Sequence, residues 1–309
     1  MTNSDFHEWR SRGIGASDIA GILNLSPWSS PYSVWASKVL ATTGGGTSGS
    51  MEAMRWGKLL EDAVIDEAAR RLNVYAYGQQ TRCTHPDYEW ARATVDAFCK
   101  DDDTEGVIEA KTTSDYRWYE VPVYYEAQVL WQLAVTGRSF GWLAALHAGR
   151  KLSLWRIDEQ PALQRAMLDT GREFWESFIV PGVPPPVDGL SGTGDALDAV
   201  YAETVPGATV AFDDEYAETV AALRRVRGDI RTLEEDRDLL ENRIKAALGT
   251  AESGTVDGRV VVTWKAQHSR RIDLDLLRER YPTEAASCET VTDSRRFLIK
   301  GLPKSAKRD

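Results

Sequence analysis

Three charged residues near the middle of the chain have the types and spacing of a site for phosphodiester hydrolysis. Asp96 precedes Glu109, and Lys111 follows Glu109 after one intervening residue. An aspartate and a glutamate at adjacent strand ends offer the hard oxygen ligands that Mg²⁺ and Mn²⁺ prefer. A lysine beside them can hold the water that attacks phosphorus, while metal ions neutralise the charge developing on the phosphate. The pattern therefore predicts metal-dependent hydrolysis.

The stretch GVIEAKTT, residues 106–113, is predicted to be a short strand. Side chains alternate along a strand, so Glu109 and Lys111 are expected on one face. The acidic run before this strand favours a turn, which would place Asp96 and Glu109 on the two arms of an antiparallel hairpin. The same pattern arises by chance in many chains, and a solvent-exposed, salt-bridged hairpin explains it at least as well. The choice between an active site and an exposed hairpin therefore depends on the neighbouring segments.

Two polar residues on apolar helix faces favour a site. Glu61 falls on the inward side of the helix predicted over 52–72, and Gly57 one turn earlier leaves room for a metal or a phosphate. A carboxylate on such a face is unfavourable unless it is paired or metal-bound. The alternative is a glutamate whose tip reaches solvent. Gln128 lies on a predominantly aromatic and aliphatic helical stripe and needs a polar partner there.

The segment WRSRGIGASD near the start could bind an anion. It places Arg10 and Arg12 before a glycine-rich turn and Ser17 as the predicted cap of the next helix. Backbone N–H groups at a helix start, a hydroxyl and an arginine together suit a DNA phosphate. A plain capped helix is the alternative.

The elements that must position these residues lie in the first part of the chain. Of its 309 residues 42% are hydrophobic and 27% charged, which allows one large domain or two. Helical patterns near 31–42 and 52–72, short strands over 73–111 and further helices predict an α+β or α/β core. The proline-rich VPGVPPP marks a boundary. We expect a first domain over 1–187 and a linker over 188–212.

The remaining third of the chain has a different pattern. Over 213–248, apolar residues recur at alternating spacings of three and four, broken only by Arg237, which predicts a heptad seam of about four repeats and a coiled-coil helix. A solvated helix packed on its own domain, or a helical hairpin, explains this as readily as self-association or partner docking. Strands in GRVVVTW and SRRFLIK, with a helix around DLDLLRERY, predict a small α+β module over 249–309.

The overall charge and the ends of the chain exclude some classes of protein. A net charge of −10 argues against non-specific coating of nucleic acid, but a carboxylate metal site is itself acidic. No apolar run approaches the length of a membrane span, and the first residues lack the pattern of a signal peptide. A cytoplasmic protein without membrane contact is expected. The absence of a GxxxxGK phosphate loop fits a reaction without ATP.

Six segments, in order, resemble the YqaJ viral recombinase family, relatives of lambda exonuclease in the PD-(D/E)XK nuclease superfamily. They are WRSRGIGASD, SPWSSPYSVWASK, MRWGKLLEDAV, TVDAF, VIEAKTT and VYYEAQVLWQLAVTG. The resemblance covers roughly residues 6–180 and implies a PD-(D/E)XK core with a central mixed β-sheet flanked by helices. The family often has Pro-Asp-Gly where this chain has Val95-Asp96-Ala97, so the turn after Asp96 is expected to differ.

The resemblance also implies roles for the acidic cluster. Asp96 and Glu109 would bind metal with the Ala110 backbone carbonyl, and Glu61 would complete the acidic set. Lys111 would position the nucleophilic water. The implied cofactor is Mg²⁺ or Mn²⁺, as two ions.

Further roles follow from the resemblance for the surrounding residues. Gln128 would assist at the water or the metal. Ser17 would bind the terminal 5′-phosphate together with an arginine; the spacing favours Arg10, and Arg12 is the other candidate.

The implied activity is an ATP-independent exonuclease that digests double-stranded DNA 5′ to 3′ and leaves 3′ single strands for an annealing protein. Relatives form rings, so a homo-oligomer is implied as well. An endonuclease or repair nuclease with the same site is the first alternative, although the chain lacks the four-cysteine cluster of the iron–sulfur branch. A non-catalytic recombination adaptor that uses the heptad helix is the second.

Overall fold

A computed structural model describes residues 8–40, 48–101, 103–290 and 295–300. The chain divides into two compact units, Met1–Glu203 and Thr204–Asp309. Within the described residues, no helix combines the length and the apolar character needed to cross a lipid bilayer.

The first unit is built around a five-stranded mixed sheet. In chain order the strands of this unit are β1 (Tyr75–Tyr77), β2 (Thr81–Thr84), β3 (Arg92–Val95), β4 (Ala97–Asp101), β5 (Thr104–Thr113), β6 (Phe140–His147) and β7 (Lys151–Asp158). The sheet order is β1-β4-β5-β6-β7, and β2 pairs with β3 in a separate two-stranded ribbon. In the main sheet β5 and β6 pair parallel, whereas β1–β4, β4–β5 and β6–β7 pair antiparallel.

Helices cover both faces of this sheet. They are α1 (Ala16–Ile22), α2 (Pro31–Val39), α3 (Ser48–Leu72), α4 (Val123–Thr136), α5 (Pro161–Phe174), which continues into a π-helical turn (Trp175–Ile179), and α6 (Ser191–Val200). A parallel strand pair needs a crossover connection, and α4 supplies it between β5 and β6. The expected central mixed sheet flanked by helices is therefore confirmed.

Strand β5 lies at the centre of the sheet and faces a helix on each side. Val107 belongs to the buried cluster that includes α4, whereas Ile108 belongs to the cluster that includes α3. Gly106 permits the close approach of β6, because a Cβ at this position would lie 2.5 Å from the Phe140 ring. By alternation, Glu109 and Lys111 project on the same side as Val107, towards α4.

The structure differs from the predicted linker over 188–212. The helix α6 packs on α2 in the first unit, and Thr193 Oγ1 donates a hydrogen bond to Ser30 Oγ at 2.7 Å. The absence of a side chain at Gly192 allows this close packing, since a Cβ there would lie 2.8 Å from the Trp28 carbonyl oxygen. The division between the units therefore falls after Glu203.

The second unit contains one long helix and a small α+β set. Its elements are α7 (Asp214–Leu248), β8 (Ser253–Val256), β9 (Arg259–Thr263), α8 (Leu274–Arg280) and α9 (Pro282–Ser287), with β8 and β9 forming an antiparallel hairpin. The final strand predicted in SRRFLIK is wrong for the described part, 295–300. Phe297 instead lies against Arg227 of α7, with 5.8 Å between its ring centroid and the guanidinium carbon Cζ. These residues therefore contact a helix and not a sheet edge.

Candidate active site

The hairpin of β4 and β5 brings Asp96 beside Glu109. The two strands pair antiparallel with Ala97 opposite Ile108, so Asp96 and Glu109 follow directly at the end of this pairing. The Ala110 backbone N–H donates a hydrogen bond of 2.9 Å to Asp96 Oδ2. The predicted hairpin is confirmed, and alanine at position 97 does not keep Asp96 away from the cluster.

Glu109 and Lys111 form an ion pair that is largely withdrawn from solvent. Lys111 Nζ lies 2.5 Å from Glu109 Oε1, and the two side chains are 22% and 2% exposed. The Tyr125 ring lies below the same ammonium, 4.9 Å from Nζ. The alternative of a solvent-exposed ion pair is therefore wrong, because a surface pair would leave both groups in water.

Two glutamines of α4 hold the Glu109 carboxylate from the other side. Gln128 Nε2 donates to Glu109 Oε1 at 2.6 Å, and Gln132 Nε2 donates to Oε2 at the same distance. The helix presents residues four apart on one face, which is why both amides reach one carboxylate. Gln128 was expected to have a polar partner, whereas sequence reasoning missed Gln132, which lies one turn further along α4. Its spacing from Gln128 was the available signal.

Gln80 connects the other two carboxylates. Its Nε2 donates to Glu61 Oε1 at 2.5 Å and lies 3.3 Å from Asp96 Oδ1. Gln80 stands in the turn between β1 and β2 with a φ of 54°, and its backbone N–H donates to the Asp96 carbonyl oxygen at 3.1 Å. Sequence reasoning missed this residue because a turn has no periodicity that points to a site.

The cluster has an excess of negative charge. Burial raises the pKa of Asp96 well above its usual range, and the charge of Glu109 raises it further. Burial also raises the pKa of Glu61, again with a contribution from Glu109. For Lys111, burial alone would lower the pKa, but Glu109 and Asp96 outweigh it and the pKa is raised. The cluster thus contains three carboxylates and one ammonium, an arrangement that a cation would stabilise.

The carboxylate oxygens of this cluster are of the type that a hard divalent cation prefers. Their side chains are not already arranged around an empty metal position. Within the described ranges, no three acidic, histidine or cysteine side chains form a ready metal-ligand group. The carboxylate oxygens accept hydrogen bonds from amides and an ammonium instead. The Gln80 amide stands between Glu61 and Asp96, where a cation could be shared by both. These residues fit Mg²⁺ or Mn²⁺ once that amide moves aside.

A second cluster, at the start of α1, joins Arg10 to Ser17. Arg10 Nη2 donates to Ser17 Oγ at 3.0 Å, whereas Arg12 pairs with Glu8. Of the two candidate arginines, the structure therefore brings Arg10 to the serine. The helix cap is Gly15 rather than Ser17, so the predicted cap is wrong.

Buried charges hold Arg10 in this position. Lys38 Nζ lies 2.6 Å from Asp18 Oδ2 and donates to the Arg10 carbonyl oxygen at 2.8 Å. Asp18 Oδ2 also accepts the Gly15 N–H at 2.7 Å, and Asp18 Oδ1 is 3.6 Å from Arg10 Nη2. Arg10 is thereby fixed through both its backbone and its side chain.

Both clusters line one cavity of about 240 Å³. Its lining includes Arg10, Ser17, Glu61, Gln80, Asp96, Glu109, Ala110, Lys111 and Gln128. An adjoining cavity of about 420 Å³ is lined by Gly57, Glu61 and Lys111 among others. Arg10 and Ser17 thus share one half-open cavity with the acidic cluster and its lysine.

The chain is similar in sequence to one protein family and to one of its curated relatives. A sequence model described as the YqaJ-like viral recombinase domain matches residues 5–139. A Bacillus subtilis (strain 168) protein described as uncharacterized protein YqaJ is 30% identical over 303 residues, 95% of this chain and 93% of that protein.

Two solved structures are similar to part of the chain. An alkaline exonuclease from Laribacter hongkongensis is 18% identical with a TM-score of 0.48, covering 58% of this chain and 94% of its own. A phage-related exonuclease from Haemophilus somnus 129PT is 8% identical with a TM-score of 0.43, covering 57% and 99%.

Proposed function

Because the chain belongs to the YqaJ-like viral recombinase domain family, we propose that it is a metal-dependent nuclease that digests double-stranded DNA from its ends. The observation that carries this proposal is the shared cavity, in which Arg10 and Ser17 stand with Asp96, Glu109 and Lys111. Few other reactions need an anion-binding pair, paired carboxylates and a buried lysine in one space.

The acidic cluster would do the chemistry. Asp96, Glu109 and Glu61 would hold Mg²⁺ or Mn²⁺, as two ions, with the Ala110 carbonyl as a further ligand. Bound metal would supply Lewis-acid activation of water and neutralise charge on the phosphate. Lys111 Nζ would donate a hydrogen bond to the attacking water, because it lies beside Glu109 Oε1. No nucleotide triphosphate is needed for this reaction.

The glutamines would keep the carboxylates in place. Gln128 and Gln132 each donate to one oxygen of Glu109, so this carboxylate cannot rotate freely. Preorganised ligands of this kind lower the cost of reaching the reactive geometry.

The Arg10 and Ser17 pair would bind the terminal 5′-phosphate. A guanidinium and a hydroxyl recognise phosphate oxygens by charge-assisted hydrogen bonds. Anchoring a 5′ end in this cavity would set the direction of digestion as 5′ to 3′ and leave a 3′ single strand. We propose that this strand passes to an annealing protein and that the nuclease acts as a homo-oligomer.

The direct test compares three substrates with purified chain: a linear duplex with 5′-phosphate ends, the same duplex with 5′-hydroxyl ends, and a covalently closed circle. With Mg²⁺ we expect digestion of the phosphorylated linear duplex, slower digestion of the hydroxyl form and none of the circle. EDTA and a Glu109→Gln variant should both abolish digestion. Cutting of the circle would identify an endonuclease, and activity in EDTA or in the variant would refute the assigned site.

A further inference from the structure

The long helix α7 exposes an apolar stripe. Val226, Ile230, Leu233, Leu240 and Ile244 are 51%, 50%, 65%, 58% and 45% exposed, and the helix has no buried residue. Residues 295–300 contact α7 through Arg224 and Arg227, beside the stripe rather than on it. Seam-forming residues that stay this exposed indicate a surface that packs against another helix.

We propose that this stripe binds the same stripe of a second copy of the chain, with the two α7 helices antiparallel. The seam has two sets of heptad positions. The first set is Leu223, Ile230, Arg237 and Ile244, and the second is Val226, Leu233, Leu240 and Ala247. In an antiparallel pair each member of the first set lies opposite a member of the second set. A single register therefore pairs every seam position of one helix with a seam position of the other.

That register has its two-fold axis at Glu235. Ile230 then faces Leu240 of the second copy, and the outer layers pair Leu223 with Ala247 and Val226 with Ile244 across the two copies. The two innermost layers set Arg237 against Leu233. Every layer except these is wholly apolar, so the antiparallel arrangement buries the stripe along its full length.

The charges beside the outer parts of the seam are complementary in this register. Arg227 faces Glu241 of the second copy, and Asp229 faces Arg243 of the second copy, each twice by symmetry. At the centre Glu234 and Asp236 approach their own symmetry mates. The Arg237 of each copy lies at this level, so that two positive charges offset the like-charge contacts.

In a parallel pair of α7 helices the flanking charges would repel each other. In register, Asp229 would face Glu234 of the second copy and Asp236 would face Glu241, while Arg237 would meet its own mate in the seam. Like charges would then stand on both flanks and in the core of the pair. Charge pairing therefore selects the antiparallel dimer.

Cysteine cross-linking tests the direction of the helices in the full chain. The exposed native Cys288 is first replaced by serine. Ile230→Cys and Leu240→Cys are then made in separate chains, oxidised alone and oxidised as an equal mixture. We expect a covalent dimer only in the mixture, because position 230 meets position 240 of the second copy. Covalent dimers of the Ile230→Cys chain alone would show a parallel pair and overturn the proposal.

Charge reversal tests the same interface without cysteines. Asp229→Arg would place two arginines opposite each other and weaken the dimer about tenfold in analytical ultracentrifugation. The double variant Asp229→Arg/Arg243→Asp would restore the pairing and the affinity. A parallel dimer would instead be strengthened by the single change, since the introduced guanidinium would face Glu234. That result, or a wild-type monomer at all concentrations, would refute the proposal. Circular dichroism shows that the variants keep their helix, and neither assay depends on the proposed nuclease activity.

Discussion

Ala110 donates its backbone N–H to Asp96 Oδ2 at 2.9 Å. The regular pairing of β4 and β5 ends two residues earlier on β5, at Ala97 and Ile108, so in the described strands this N–H lies beyond the ladder. The carboxylate takes the place of a strand partner. Asp96 is thus fixed by the strand that carries Glu109, with alanine as the residue after it.

Asp96→Asn should separate folding from metal binding. The asparagine oxygen can still accept the Ala110 N–H, while the negative charge beside Glu109 is lost. We expect a melting temperature without metal at or above that of the wild type, no rise on adding Mg²⁺, and a rate lowered about 100-fold or more. Scanning fluorimetry with and without Mg²⁺ and initial rates measure this. Asp101→Asn, at the exposed end of β4, is the control, and a persistent Mg²⁺ effect in Asp96→Asn would contradict the assignment.

Lys111→Met should lose activity but keep the metal effect. The change removes the ammonium 2.5 Å from Glu109 and leaves the carboxylates in place. We expect the rate to fall about 100-fold or more. Without metal, the free energy of unfolding should drop by about 3 kcal/mol because a buried carboxylate loses its ion partner. Urea unfolding and initial rates provide the measurements. Lys151→Met, at the exposed start of β7, should change neither, and an active Lys111→Met would remove the lysine from the mechanism.

Gln132→Leu should raise the metal requirement. Its amide orients Glu109 Oε2, so its loss should shift the Mg²⁺ concentration for half-maximal rate upward about tenfold, with a smaller change at saturating Mg²⁺. Gln164→Leu is a matched control, because Gln164 is another buried glutamine whose amide bonds a backbone oxygen, that of Leu130. Both variants should lose about 1–3 kcal/mol of stability. Equal Mg²⁺ curves for the two would mean that Gln132 is only a core residue.

Arg10→Met and Arg12→Met should differ in their effect on end recognition. Arg10 contacts Ser17 in the cavity, whereas Arg12 pairs with Glu8. We expect Arg10→Met and Ser17→Ala to lose the preference for 5′-phosphate over 5′-hydroxyl ends, worth about tenfold. Arg12→Met should retain it. Competition between the two labelled duplexes measures the ratio, and the opposite order of the arginine variants would reassign the phosphate ligand.

The Asp18 and Lys38 pair should make the free energy of unfolding decrease at acid pH. Burial alone would raise the pKa of Asp18, but Lys38 and Arg10 outweigh it, and the pKa lies below its usual 3.8. A lowered folded pKa stabilises the protein above about pH 3.8, and this contribution is lost as pH falls through the folded pKa. In urea unfolding, wild type should exceed Asp18→Asn by about 3 kcal/mol at pH 6. The difference should shrink at pH 3; a constant difference would contradict the prediction.

Local patterns predicted the parts of the site that one hairpin builds. Glu109 and Lys111 follow from strand alternation, and Asp96 follows from the turn before them, because these relations depend on neighbours in sequence. Gln80 did not follow, since its contact depends on how the β1–β2 turn lies over the hairpin. Gln132 was visible in the helical spacing, but a single glutamine among aromatic residues gives no sign of which polar group it meets.

The boundary of the first unit could not be predicted from composition. Glycine, serine and threonine over 188–203 suit a linker and a tightly packed helix equally. The neighbouring chain distinguishes the two, because Gly192 approaches the backbone of Trp28, Ser29 and Ser30, just before α2, closely. The central mixed sheet and its helices were predicted through the family resemblance, whereas composition alone allowed α/β or α+β.

Gln80 has two separate attachments, and in the proposed metal site they would determine how quickly its amide gives way to an ion. Its backbone is tied to the Asp96 carbonyl oxygen, whereas only its side chain reaches Glu61 and the Asp96 carboxylate. The amide can therefore swing out by rotation about its own bonds while the turn keeps its shape. Side-chain rotations of this kind take picoseconds to nanoseconds where they are exposed. Exchange of an amide for an ion would then be limited by diffusion of the ion and by shedding of its water, not by rebuilding the protein.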